Sequence, residues 1–339
     1  MDTGQSVSIC GFKKGFPMRD IKIGAAQFET RDADKIYNLN CIEALTRQAV
    51  EKGAEIVSFH ECCISGYTFL QTLSKSKIAA LAEPVPNGPS TKKLIELSKK
   101  YRVPILAGLV EIDQDKCYNT YVCVSPDGFV AKHRKLHAFI SPFISSGDQF
   151  TVFDLCDCTC GILICYDNNL PENVRLTAVM GAEIIFMPHV TCGLPSVMPG
   201  RGIIDRKLWE NRHRDPVPLR QEFLGPKGRG WLMRWLPTRA YENGVYAIYT
   251  NPIGIDHDTV KNGNAMVIDP FGEIVAESQA LEDDIIVGLC TAEKIPISSG
   301  YRYLRARRPE LYSKLVEPLP PSMKQGTHPG WQLAKPKKE

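Results

Sequence analysis

Twelve cysteines stand among the 339 residues, and one of them has the setting of a nucleophile. Cys165 closes the apolar run Gly161–Cys165, and Tyr166, Asp167, Asn168, Asn169 and then Pro171 follow it. The run reads as a strand, and the proline as the first turn of a helix. A thiol at such a turn projects from the sheet edge, where a ligand reaches it. The backbone N–H groups that follow, Tyr166 first, suit a developing oxyanion, and a nearby helix N-terminus favours a thiolate. Taken alone, the setting also fits a buried thiol at a strand end, since free cysteine is among the most buried residues.

Two other segments supply partners for that thiol. Glu61, in Phe59–Tyr67 (FHECCISGY), directly follows a short apolar strand, so its carboxylate also sits at a sheet edge. Lys135 ends a strand in the cluster AKHRKLHAF, Ala131–Phe139. A thiolate attacks an amide or nitrile carbon far better than a thiol, so something must take the thiol proton. Glu61 is suited to that, and afterwards to protonating the departing nitrogen. A charged lysine is no base, but it orients a carboxylate and stabilises a tetrahedral intermediate.

Together the three segments resemble the nitrilase superfamily of carbon–nitrogen hydrolases. Glu61 in HECCISGY, Lys135 in HRKLH and Cys165 in GILICYDNNLPE occur in the family's order, 74 and then 30 residues apart. The similarity runs from about Ile21 to Cys290 and takes in RAYENGVYAIYTN (Arg239–Asn251) and GNAMVIDPFGEI (Gly263–Ile274). It implies a four-layer α-β-β-α sandwich, a thioester at Cys165, no cofactor, no metal, and a homodimer or larger homo-oligomer. Tyr-Asp after the cysteine resembles the amidase-like branch, which implies a small linear amide as substrate. A nitrile, an N-carbamoyl amide or acyl transfer to an amine would use the same three residues, and a weakly catalytic scaffold is the non-enzyme alternative. One departure is plain: Leu136–Ile164 lacks the second glutamate that many members carry, leaving His137 and Asp148 as the nearest polar candidates for its role.

The elements that must position these residues follow from periodicity. Residues 1–20 read as an extension. Strands are expected at Ile21–Phe28, Glu55–Phe59, Val103–Ile112, in two arms around Pro126-Asp127-Gly128, at Gly161–Cys165, Glu183–Pro188 and Val245–Asn251, in a hairpin over Ala265–Ser278, and at Ile285–Cys290. Helices are expected at Asn38–Lys52, Pro89–Arg102, Pro171–Gly181 and Trp231–Asn243. Strands and helices alternate early and hairpins come later, which is an α/β layered pattern. The catalytic domain is placed at 21–298, with a C-terminal extension at 299–339.

The stretch 189–230 has no steady period and reads as an insertion. It carries Arg201, Arg206, Arg212, Arg214, Arg220 and Arg229, either a solvated surface or an anion-binding lid. Leu208, Trp209 and Phe223 offer apolar anchors for an oligomer interface instead. Candidates for substrate contact are His137, Asn168, His189 and Cys192. Cys156, Cys158 and Cys160 would share one face of a strand, a packed face in preference to a zinc site. Cys62 and Cys63 are expected to be wall residues.

Composition excludes other classes. With 43% hydrophobic and 23% charged residues the chain is ordinarily globular, and a net charge of +3 gives no electrostatic footprint for nucleic acid. No apolar run of about 18 residues suggests a membrane span, and no N-terminal apolar core suggests a secretory leader. A cytoplasmic protein with reduced thiols is the expectation.

Overall fold

The computed structural model describes residues 18–318 and residue 320; most of the expected N-terminal extension and the end of the C-terminal one lie outside them. Fifteen strands appear among these residues: β1 (Ile21–Gln27), β2 (Ile56–Ser58), β3 (Ile105–Asp113), β4 (Lys116–Ser125), β5 (Gly128–Arg134), β6 (Ile144–Ser145), β7 (Thr151–Leu155), β8 (Cys158–Ile162), β9 (Ile184–Pro188), β10 (Tyr246–Thr250), β11 (Ile253–Asp256), β12 (Thr259–Asn262), β13 (Met266–Ile268), β14 (Ile274–Glu277) and β15 (Asp284–Cys290). One sheet has the order β15-β1-β2-β3-β4-β5, with β6 beside β4; the other runs β14-β13-β10-β9-β8-β7.

Three buried clusters show the layering. Ile23, Ala25, Tyr121, Cys160, Phe186, Ile248 and Val267 fill the space between the sheets. On the outer face of the first sheet, Ile42, Leu45 and Ala49 of the helix Lys35–Glu51 and Leu94 and Leu97 of the helix Pro89–Tyr101 pack on Ala26, Val57 and Val122. On the outer face of the second, Val174 and Ala178 of Pro171–Val179 and Leu236 and Ala240 of Leu236–Asn243 pack on Ile185, Ala247 and Ile268. The result is the expected α-β-β-α sandwich. Strands covered on both faces lose the polar-apolar alternation, and accordingly every residue of β9 and β10 is buried.

Local chemistry sets the helix ends. Asp34 caps Lys35–Glu51 by accepting from the Tyr37 N–H, and prolines open Pro89–Tyr101 and Pro171–Val179. Gly244 ends Leu236–Asn243 at φ 63°, the left-handed region that glycine adopts without cost.

Several expectations are corrected. The expected helix Trp231–Asn243 is two pieces, Arg229–Leu232 and Leu236–Asn243, because Pro237 can sit only in a first turn. Order begins before Ile21: Met18 is buried between the sheets, and its N–H donates to Glu183 Oε1 at 2.9 Å. The hairpin β11–β12, the strand β7 and the helix Lys75–Leu81 are unexpected elements.

The stretch 189–230 is not a bare loop. It contains the helices Arg206–Glu210 and Val217–Leu224, and Ile204, Trp209, Leu219 and Phe223 pack with Ile253 and Val260 in a small core of their own. Trp209 and Phe223 are therefore buried within the chain, with Leu208 packed against the same cluster, rather than held out as anchors for a partner. Cys158 and Cys160 are buried in the inter-sheet core and Cys156 lies in a turn at φ 51°, so the three do not line one strand face. Among the described residues no group of side chains is arranged to hold a metal, and no helix is long and apolar enough to cross a membrane.

Candidate active site

The strands deliver the three chemically singled-out residues to one place. Glu61 follows the end of β2, Lys135 directly follows β5, and Cys165 comes just after β8. All three are buried: Glu61 and Lys135 are each 1% exposed and Cys165 is 6% exposed. Lys135 Nζ donates to Glu61 Oε1 at 2.7 Å and to the Tyr67 hydroxyl at 3.2 Å. Asn119 Nδ2 donates to the same Glu61 oxygen at 2.6 Å. The other oxygen, Oε2, accepts the Val190 N–H at 2.9 Å. The Val190 carbonyl in turn accepts from the Cys165 thiol at 3.9 Å. One residue, just past β9, thus touches both the carboxylate and the thiol.

The strand before Cys165 ends at Ile162, not at the cysteine as expected. Cys165 opens a short 3₁₀ turn, Cys165–Asn169, at φ 51°. A non-glycine residue in that region is strained, and such strain is held only where the surroundings over-determine it. Asp167 is what holds it. Its buried carboxylate accepts from the Ile164 N–H at 3.2 Å, the Leu136 N–H at 3.1 Å and the His137 N–H at 2.9 Å. It clamps the residues after Lys135 to the turn that carries Cys165. The Tyr166 N–H, next along the turn, has no intrahelical acceptor, as the first amides of any helix lack one.

Electrostatics follow from burial. Desolvation, then the Glu61 charge, push the Cys165 thiol up to about 12, and Lys135 pulls the other way. Burial works against the Lys135 charge, but its anionic neighbours outweigh burial and hold it well above the ordinary lysine value. Desolvation and the Lys135 charge push His189 well below the usual histidine value, so its ring is neutral. The resting site is a thiol beside a carboxylate–ammonium pair.

The remaining candidates separate. Asn168 Nδ2 donates to the Leu163 carbonyl at 2.8 Å and lies 3.2 Å from His189 Nε2, which places both side chains beside the cysteine turn. Cys192 is buried two residues beyond Val190, with its carbonyl accepting from Lys261 Nζ at 3.3 Å. The His137 ring reaches Asn173 at 3.1 Å and packs edge-on against Tyr166, and its N–H donates to Asp167 and to no member of the triad. Asp148 is exposed and takes no part. Around Lys135 the structure supplies aromatic faces in addition to Glu61, with Phe139 4.7 Å and Tyr67 5.0 Å from ring centroid to Nζ. Cys62 and Cys63 are buried walls as expected. Asn119, Tyr67, Asp167 and Val190 were given no role from the sequence; Tyr67, closing the glutamate motif, and Asp167, in the cysteine motif, carried a signal, and the other two did not. A separate cleft of about 430 Å³, lined by Glu29, Thr30, Arg31, Asp32, Tyr37, Ile255 and His257, contains none of the three.

The carbon–nitrogen hydrolase family model matches residues 22–295. The chain belongs to the carbon–nitrogen hydrolase family. Its similarity extends to a nitrilase of Pyrococcus abyssi, 27% identical over 78% of this chain and 87% of that one. An (R)-stereoselective amidase of a Pseudomonas species is 29% identical over 88% and 95% of the two chains. An ω-amidase of Xenopus tropicalis is 28% identical over 82% and 92%. In fold, this carbon–nitrogen hydrolase is similar to an amidase from Nesterenkonia sp. AN1 that shows covalent addition of the acetamide moiety of fluoroacetamide at its active-site cysteine. That match has a TM-score of 0.65 at 20% identity and covers 89% of this chain and 100% of the other.

Proposed function

We propose that the enzyme hydrolyses a small linear amide through a thioester at Cys165, releasing ammonia or an amine. The observation that supports this reading most strongly is the convergence of Cys165 on Glu61 through Val190, with Lys135 held 2.7 Å from the carboxylate. The Cys165 thiol gives its proton to Glu61 as sulfur bonds to the amide carbon, and the carbonyl π pair moves onto oxygen. Lys135 and the Tyr166 N–H stabilise that oxyanion. Collapse expels the nitrogen, which takes the proton from Glu61. Water then attacks the thioester as Glu61 takes a proton from it, and collapse breaks the C–S bond, releasing the acid and a thiolate that takes that proton back from Glu61. A thiol held near 12 suits this sequence, because proton transfer accompanies attack instead of preceding it.

Residues 21–298 make up the catalytic unit in this reading, with 189–230 laid over it. His137, Asn168, His189 and Cys192 are its candidate substrate neighbours. The protein is cytoplasmic and works as a homodimer or larger assembly, which sedimentation of the purified chain measures. A nitrile would proceed on the same residues through a thioimidate and consume two waters.

Mass spectrometry after exposure to a thiol-reactive amide analogue tests the assignment. A single adduct at Cys165, absent from Cys165→Ser, supports it; slow uniform labelling of many cysteines overturns it. Ammonia release across a panel of amides, N-carbamoyl compounds and nitriles then ranks the substrate classes.

A further inference from the structure

A contiguous run of ring contacts leads away from the triad. Tyr249 packs on His189 with centroids 5.0 Å apart, His189 on Trp235 at 5.6 Å, and Trp235 on Trp231 at 5.4 Å. The Arg201 guanidinium lies 3.8 Å over the Trp231 ring. Along this run, Tyr249 Oη, His189 Nδ1, Trp235 Nε1 and Arg201 Nε are buried without a partner, as is Asn168 Oδ1 beside His189. These are half of the ten such atoms among the described residues, so the orphaned groups are concentrated at one location. Buried polar atoms are otherwise nearly always paired, and a cluster of exceptions marks a place where water or a ligand supplies the partners.

The chemistry of the cluster is lopsided. Indole and guanidinium nitrogens only donate. Asn168 Nδ2 is committed to the Leu163 carbonyl, which makes His189 Nε2 the acceptor of its second hydrogen and leaves the proton of the neutral ring on Nδ1. Three obligate donors and one hydroxyl therefore stand against a single acceptor, Asn168 Oδ1. An acceptor-rich ligand group fits that surplus.

Arg201 is set apart from the other arginines of 189–230. Arg206 pairs with Glu210, and Arg229 with Glu277. Arg212 donates to the Leu281 and Trp209 carbonyls, and Arg220 to that of Gln279. Arg214 is exposed. Arg201 is half-buried, stacked on an aromatic face, and has no carboxylate within ion-pair distance among the described residues. A guanidinium stacked on an indole still presents its edge for bidentate binding of a carboxylate. The run also starts beside the reaction centre, because His189 precedes Val190 and Asn168 shares the turn of Cys165.

We infer that Arg201, Trp235, His189 and Tyr249 form an acyl-side subsite that selects amides whose acyl chain ends in a carboxylate. The inference rests on the amide reading and sharpens it to a substrate class. It places the specificity of the enzyme in the arginine-bearing stretch but in one arginine only.

The test compares kcat/KM for the monoamide of a short dicarboxylic acid with that for a straight-chain alkyl amide of equal length. The wild type favours the acidic amide, and Arg201→Gln lowers that preference roughly 10- to 100-fold, the weight of a charge-assisted hydrogen bond. Arg201→Lys restores part of it, and Arg214→Gln leaves it unchanged. Equal use of both amides by the wild type, or an unchanged ratio in Arg201→Gln, overturns the subsite. If the wild type releases ammonia from neither amide, the amide reading fails by itself. Calorimetric binding of the acidic monoamide to Cys165→Ala then decides the subsite separately: binding lost on adding Arg201→Gln supports it, and absent or unaltered binding overturns it.

Discussion

Glu61 and Lys135 form an ion pair at 2.7 Å with both side chains shut away from solvent. Removing two charges from water costs several kcal/mol each, and only close geometry with further hydrogen bonds offsets it. Asn119 and the Val190 amide supply those bonds to Glu61, and Tyr67 accepts one from Lys135. The pair is too costly to be structural ornament, and Val190 links its carboxylate to Cys165, which is held at φ 51°.

Glu61→Gln keeps the size of the side chain and removes proton transfer. Turnover should fall on the order of 10²-fold or more, the usual weight of a positioned acid–base group. Steady-state kinetics over a range of pH provide the check, and a small loss throughout would reject the assignment.

Asp167→Asn should weaken both fold and turnover. The buried carboxylate accepts from three backbone N–H groups, and an amide turns one of its acceptors into a donor facing a donor. Loss of stability should reach about 2 kcal/mol or more. Because the clamp joins the Lys135 and Cys165 segments, kcat should drop more than KM rises. Urea unfolding and kinetics on the same preparation separate the two effects; an unchanged kcat with lowered stability would make Asp167 purely structural.

Gly108→Ala tests how β3 seats the glutamate. A Cβ at Gly108 would lie 2.2 Å from the Cys62 nitrogen and 3.0 Å from the Glu61 carbonyl carbon, and both are backbone. The Glu61 segment must then shift. Activity should be largely lost even if the protein still folds, as circular dichroism and an assay would show. Near wild-type activity would mean that the carboxylate tolerates displacement.

Stability should fall at both ends of the pH range. Desolvation pushes Cys63, Cys165 and Cys192 up to about 12, from an ordinary value of 9.0. Between those values the unfolded chain has released protons that the fold keeps, so stability drops as pH rises from about 9 to about 12. Burial lowers His60 to about 4 from 6.5. There the unfolded chain binds a proton that the fold refuses, so stability drops as pH falls from about 6.5 to about 4. Denaturant midpoints measured from pH 4 to 11 would contradict this if they stayed level above pH 9.

Much of this protein is readable from residue order alone. Glu61 and Cys165 come after apolar runs and Lys135 ends a strand in a basic cluster, and a side chain at or just past a strand end stands at a sheet edge whatever the strand pairs with. The same logic made the strands and most helices legible, because period, proline and glycine act over a few residues. What contacts the triad depended on distant pairings. Asn119 faces Glu61 across 58 residues and Val190 across 129, and no local pattern encodes such neighbours. The strained turn at Cys165 arises because Asp167 reaches amides on both sides of the site, where the strand period alone would extend β8 through the cysteine. Within 189–230 the sequence shows six arginines of equal standing. Only packing distinguishes Arg201, because whether a guanidinium meets a carboxylate or goes without one is decided by which surfaces the folded chain brings together.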